Sequence, residues 1–235
     1  MIKKHIPNSL TCCNLICGCA ATVFALKGSA ETALLFIVGG AVFDFFDGFA
    51  ARLLKVSSPI GKELDSLADV VTFGVAPSAM LFFALQNLPT DTGAGWQQGD
   101  AVPFVAFLMA AFSALRLAKF NLDERQATSF LGLPTPANAL FWASLLILLQ
   151  RENLFSGYTG WVLLFLMCVS CALLVSEIPM FALKFKSKSW AENKQRYLFI
   201  LLSLAIIVWQ GPLIAWSLII LFYVAFSMMD YIRKM

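Results

Sequence analysis

Charge is scarce in this sequence. Asp, Glu, Lys and Arg together make up 13% of its 235 residues, while 60% are hydrophobic. A soluble domain carries roughly a quarter charged residues, so a water-soluble globule is excluded. The mean hydropathy of +0.79 agrees. Histidine is almost absent, with His5 alone. Cys12, Cys13, Cys17 and Cys19 share one apolar run, and Cys168 and Cys171 lie in another. The last two form a C-x-x-C pair with no suitably spaced partner pair. A structural zinc site needs four N or S ligands, so these cysteines read as small apolar side chains. Internal repeats and low-complexity segments are absent too, and the chain reads as a single membrane domain over residues 1–235, with the spans after about 190 as accessory.

What remains is a series of long apolar runs. About 17–25 apolar residues cross a bilayer as a helix, and helices satisfy their own backbone groups in lipid. The fold expected is therefore all-α, a polytopic membrane helix bundle. Its spans read as 10–27, 32–54, 64–86, 101–120, 136–150, 159–183, 197–210 and 213–231. The fifth and seventh are short and are expected to sit behind their neighbours. Gly211-Pro212 punctuates the last pair. It marks either a tight hairpin, giving eight spans, or a bend in one long element, giving seven.

Basic residues choose between these. With eight spans and both termini cytosolic, all of the 17 basic residues except Lys27 and Arg151 fall on the inner side. That is the positive-inside pattern, and seven spans would break it at the C-terminus. The net charge of +3 thus reads as topology and anionic-lipid contact, not as nucleic-acid binding. Lys3 and Lys4 before an apolar run imitate a signal peptide, but the first span is read as retained.

Acidic residues gather in one place. The stretch DFFDGFAARLLKVSSPIGKELDSLAD (44–69) carries Asp44, Asp47, Asp65 and Asp69. Asp44 and Asp47 are three apart, and Asp65 and Asp69 four apart, so each pair shares one helix face. Consecutive spans joined by a short turn are antiparallel neighbours, which lets the two pairs face each other near the inner boundary. Asp44 lies eight residues, about 12 Å of helix, before Arg52, so the acids are sunk below the headgroups. Intramembrane ionisable groups point to function. Four carboxylates need compensation to stay charged together, and two divalent cations supply it. All-oxygen ligands suit Mg²⁺ or Mn²⁺, and paired metals serve phosphoryl displacement. Gly48, Ala51 and Gly61 leave room on the same faces, and Arg52 offers a fork for phosphate oxygens.

The pattern D-x-x-D-G-x-x-A-R, eight residues, G-x-x-x-D-x-x-x-D resembles the signature of the CDP-alcohol phosphotransferases. Asp44, Asp47, Gly48, Ala51, Arg52, Gly61, Asp65 and Asp69 match every fixed position. The resemblance implies an integral-membrane enzyme that moves a phosphoryl-linked group from a CDP-linked donor to an alcohol and releases CMP. It implies Asp44, Asp47 and Asp65 as metal ligands and Asp69 as ligand and general base. IPNSLTCCNLICG (6–18), ELDSLADVVTFGVAPS (63–78), ALRLAKFNL (114–122) and FLGLPTPANA (130–139) are similar to the family's serine-accepting branch. The donor expected is then CDP-diacylglycerol and the acceptor L-serine. Lys119 stands where that branch would have Arg, which keeps the charge and loses the fork.

The other polar residues have two readings each. Asn8 and Thr11 serve as helix caps or, by the resemblance, lie near the nucleotide. Ser66 contacts cytidine or bonds back into its own helix. Arg116 and Lys119 anchor the inner interface or hold a donor phosphate or the serine carboxylate. Glycerol 3-phosphate or inositol is the alternative acceptor. A divalent-cation transporter is the rival of a different class, disfavoured because the acids cluster at one interface and no halves repeat. The expected location is the inner membrane if the source is bacterial, with the site facing the cytosol, and a homodimer is compatible with this reading.

Overall fold

The computed structural model describes residues 5–56, 58–88, 100–123, 130–180 and 190–234. Among the described residues it is a bundle of eight helices. They are α1 (His5–Leu26), α2 (Ala30–Leu54), α3 (Pro59–Gln86), α4 (Val102–Leu122), α5 (Thr135–Arg151), α6 (Gly157–Val175), α7 (Trp190–Gln210) and α8 (Ala215–Lys234). Among the described residues, six helices are long and apolar enough to cross a membrane, and α5 and the apolar part of α7 are shorter. Large apolar side chains such as Ile16, Leu35, Phe45, Trp161 and Val208 point outward, as a lipid-facing surface requires.

Local sequence sets the ends of these helices. Ser58 caps α3 by accepting from the Gly61 N–H at 3.0 Å, with Pro59 opening the helix. Proline suits that position because its missing N–H would have had no partner. Ser156 and Thr159 form a capping box for α6. The 211–214 turn is a hairpin. Gly211 adopts a φ of +82°, which costs glycine little, and the Phe199 and Tyr223 rings of α7 and α8 come within 6.1 Å. Two helices, not one bent element, end the described chain.

α3 is the central element. In its most apolar window 61% of residues are buried, against 28–33% for the other spanning helices. The main core gathers Ile37, Phe73, Leu81, Met109, Trp142 and Leu163 around it. A second cluster, with Leu133, Met180, Phe199, Ile219 and Tyr223, packs under α7 and α8.

Two expectations need correction. The sixth span ends at Val175, not 183. It is followed by a two-residue strand, β2 (Pro179–Met180), paired antiparallel with β1 (Phe130–Leu131). Leu133 N–H also donates to the Leu173 carbonyl at 2.9 Å, so the segment before α5 takes up backbone groups at the end of α6. Gly132, at φ +73°, permits this, because a Cβ there would meet the carbonyl oxygens of Leu174, Ser176 and Leu173 at 2.7–3.1 Å. The short fifth span is buried, with Trp142 and Ala143 fully enclosed, but the seventh is not, since Leu201, Val208 and Trp209 are exposed. Arg151, one of the two cations expected on the outer side, pairs with Glu31 at 2.7 Å. Lys3, Lys4, Arg125, Lys184, Lys186 and Lys188 lie outside the described residues.

Close approach of α1, α2 and α3 rests on two glycines the sequence did not single out. A Cβ on Gly18 would lie 2.8 Å from the Thr72 backbone, and one on Gly40 would lie 2.5 Å from Thr72 Cγ2 and 2.8 Å from Asn14 Oδ1. Gly18→Ala should cost about 1–3 kcal/mol through overpacking, read as a lower unfolding temperature in detergent. An unchanged temperature would mean that α1 and α3 separate freely.

Candidate active site

The N-terminal end of α1, the C-terminal end of α2 and the start of α3 enclose a cavity of about 570 Å³. Asn8, Thr11, Asp47, Gly48, Ala51, Arg52, Gly61 and Asp65, all singled out by sequence, line it. Pro7, Lys55, Val56, Ser58 and Lys62 line it too. The two lysines read from sequence as loop residues. Lys55 ends α2 in a left-handed conformation (φ 51°) with its N–H on the Arg52 and Ala51 carbonyls, and Lys62 lies in the first turn of α3 with its Nζ donating to the Asn121 carbonyl at 3.0 Å.

The acids converge as the spacing implied. Asp44, Asp47 and Asp65 each bring a carboxylate oxygen within 4.8 Å of the others. Asp69, one turn deeper along α3, is 8% exposed and stands in the electrostatic neighbourhood of Asp44 and Asp65. Fixed donors orient two of the four. Thr11 Oγ1 donates to Asp47 Oδ2 at 2.6 Å, and Asn14 Nδ2 donates to Asp69 Oδ1 at 3.2 Å. Asn14 is itself held, because Thr72 Oγ1 donates to its carbonyl at 3.0 Å. Directly after Asp69, α3 widens into a π-helical segment, Val70–Val75, a departure that recurs at functional sites.

These residues fit a divalent cation. Asp65 Oδ1 is buried without a hydrogen-bond partner, a costly state that a bound cation would relieve. The donors are carboxylate oxygens, the ligand type of Mg²⁺ and Mn²⁺. Gly48 faces open space: a Cβ there would meet only the Arg52 guanidinium, at 3.6 Å. Helix packing therefore does not require it, and the space beside it is open to a ligand. A Cβ on Gly61 would abut Ser58 Oγ and Asn8 Oδ1 at 3.0 and 3.1 Å.

Three sequence candidates lie elsewhere. Ser66 donates to the Lys62 carbonyl at 3.3 Å and accepts from Asn121 Nδ2 at 2.8 Å, so it faces α4. Lys119 is exposed, whereas Arg116 is buried. Arg116 NH1 reaches Thr135 Oγ1 at 3.4 Å, the guanidinium lies 5.7 Å from the Phe120 ring centre, and Asp69 is within its electrostatic reach. Asn14 was missed. Its signal was present, as the polar residue one turn after Thr11 in an otherwise apolar run.

Residues 4–175 match the family model of the CDP-alcohol phosphatidyltransferases. The chain belongs to that family. Similar curated proteins include the CDP-diacylglycerol–serine O-phosphatidyltransferase of Bacillus subtilis, 41% identical over 138 residues, which are 57% of this chain and 70% of the relative. The Helicobacter pylori protein of that name is 30% identical over 97% of this chain and 92% of its own length. The Mycobacterium tuberculosis one is 34% identical over 74% of this chain. Only 60% of the mycobacterial protein is spanned. As a CDP-alcohol phosphatidyltransferase, the chain places its family signature on the acid-lined cavity. The family match ends at residue 175, so α7 and α8 lie outside it.

Proposed function

We propose that this CDP-alcohol phosphatidyltransferase moves the phosphatidyl group of CDP-diacylglycerol to L-serine, giving phosphatidylserine and CMP. The observation that carries the chemistry is the convergence of Asp44, Asp47 and Asp65 with one another at a cavity that Asp47 and Asp65 line, with a fourth carboxylate, Asp69, in their electrostatic neighbourhood. Serine as acceptor is supported by the names of the relatives.

The donor's nucleotide occupies the cavity between α1, α2 and α3, where Asn8, Thr11, Gly48, Ala51, Arg52 and Gly61 surround it. Its acyl chains stay in the bilayer. Divalent cations, two of Mg²⁺ or Mn²⁺, held by Asp44, Asp47, Asp65 and Asp69, would supply positive charge to the diphosphate as charge builds on the leaving CMP. Asp69 takes the proton of the serine hydroxyl. The hydroxyl oxygen bonds to the lipid-proximal phosphorus, the bond from that phosphorus to the CMP oxygen breaks, and CMP leaves with the electron pair. Asn14 fixes one Asp69 oxygen, so the carboxylate meets the hydroxyl in one orientation. Arg116, buried beside Asp69, receives the serine carboxylate.

Detergent-purified protein should release CMP from CDP-diacylglycerol when L-serine is added, with phosphatidylserine as product. Release driven by glycerol 3-phosphate or inositol and not by serine would overturn the acceptor and leave the signature chemistry standing.

We place the cavity on the cytosolic side, with both termini, on the strength of the positive-inside pattern. The labelling positions Ser57, Thr92 and Ser187 suggested by the sequence lie outside the described residues. Two described positions serve instead. In a protein stripped of its native cysteines, Lys55→Cys should react only after the membrane is opened, and Glu152→Cys should react from outside in intact cells. The reverse pattern would invert the orientation.

A further inference from the structure

A cavity of about 80 Å³ lies between α5, α6 and α8. It shares no lining residue with the larger cavity of α1, α2 and α3. Its walls are apolar except for Asn138 and Ser170. Val169 of α6 and Leu221 of α8 line it while remaining 40% and 52% exposed, which puts its mouth on the lipid-facing surface.

Asn138 is fully buried on the wall of this cavity. Trp142 Nε1 donates to Ser170 Oγ at 3.1 Å. An indole only donates, so the Ser170 oxygen is the acceptor there, and the Ser170 hydroxyl donates to Asn138 Oδ1. This chain of donors leaves Asn138 Nδ2 buried with no hydrogen-bond partner among the described residues. An unmet buried donor is costly.

Size and polarity narrow what meets that donor. A water takes about 30 Å³, so the cavity has room for about three non-hydrogen atoms. A buried water makes about three hydrogen bonds, whereas here it would find one free donor and apolar walls. A carbonyl oxygen needs only the donor, and an ester group has the right number of atoms. The depth fits as well. Asn138 lies about 5 Å of helix from the start of α5, and Ser170 about 8 Å from the end of α6. Both belong to the end of the bundle where Thr135 meets Arg116. That level is the shallow part of a hydrocarbon core about 30 Å thick, where the glycerol esters of a lipid meet its acyl chains.

We propose that this cavity binds an acyl ester of a glycerolipid from the surrounding leaflet. The ester carbonyl accepts from Asn138 Nδ2, and the chain leaves between Val169 and Leu221. The lipid is not the CDP-linked donor, whose cavity is built from other helices. It joins α8, which lies outside the family match, to α5 and α6. The inference holds whichever alcohol is the acceptor.

The test uses the full-length protein, stripped of lipid in detergent, and two phosphatidylcholines of equal chain length. One has ester linkages and the other ether linkages, which lack the carbonyl. Native mass spectrometry counts bound lipid, and thermal unfolding follows its effect. The ester lipid should bind about fivefold more tightly than the ether lipid, the worth of one hydrogen bond, and should raise the unfolding temperature more. CDP-diacylglycerol should not displace it. Asn138→Leu should erase the ester preference, but it also deprives Ser170 of its acceptor. Val169→Trp separates the two effects, because it fills the mouth from a lipid-facing position and leaves the Trp142–Ser170–Asn138 bonds in place. It should lose the lipid while the unfolding temperature of the lipid-free protein stays unchanged. Equal binding of ester and ether lipids would overturn the proposal and leave the cavity to water. Ester preference that survives Val169→Trp would overturn it too, as would displacement by CDP-diacylglycerol, which would assign the cavity to the donor.

Discussion

Asp69→Asn should cut turnover by about 10²–10⁴-fold, the usual worth of a general base, while CDP-diacylglycerol still binds. Asp69 is buried, 8% exposed. Asn14 engages one of its oxygens at 3.2 Å, which leaves the other to accept the acceptor's proton. Asparagine keeps the shape and the packing but cannot take that proton. The donor's cavity is lined by Asp47 and Asp65 and not by Asp69, so donor binding should survive. Single-turnover CMP release measures the first effect. A shift of the unfolding temperature by CDP-diacylglycerol measures the second, since a ligand that binds only the folded state stabilises it. Near-normal turnover in Asp69→Asn would remove Asp69 from the chemistry.

Chelation of divalent metal should abolish CMP release, and Mg²⁺ or Mn²⁺ should restore it. The reason is the 4.8 Å triplet of Asp44, Asp47 and Asp65. Three acid oxygens that close, with Asp65 Oδ1 buried and unpartnered, oppose folding unless a cation offsets them. Two consequences separate a metal site from an incidental cluster. Adding Mg²⁺ to the stripped protein should raise its unfolding temperature. Asp44→Asn and Asp47→Asn should weaken that rise and raise the metal concentration needed for activity, without destabilising the metal-free protein. Asp47→Asn should be the more disruptive of the two, because it also changes the partner of the 2.6 Å bond from Thr11. Full activity in metal-free buffer would remove the basis of the site.

These two predictions differ in what first made them visible. The four aspartates were legible in sequence because helix geometry is local. Residues three or four apart share a face whatever the rest of the chain does, and a short loop forces two spans to be neighbours. The same logic made the spans legible, since lipid leaves the backbone no partner but itself. It failed where partners are far apart in the chain. Asn14 meets Asp69 across 55 residues, and no periodicity links them. The sixth span read as running to 183 because most of its tail is apolar. The helix ends at Val175, four residues before Pro179, whose ring would clash with the Val175 carbonyl in a continued helix. The pairing of Pro179–Met180 with Phe130–Leu131 joins segments far apart in the chain and is not readable from either alone.

Arg116 and Lys119 show the division most directly. Three residues apart on one helix, they are equivalent by sequence. Arg116 is buried, with its guanidinium on Thr135 of α5, and Lys119 is exposed. By itself, then, the sequence determined the membrane class, the helical architecture and the acid signature, because each follows from apolar run length or from spacing within one helix. Only the tertiary structure decided which polar groups share a compartment with those acids, because burial and pairing depend on how separate helices meet.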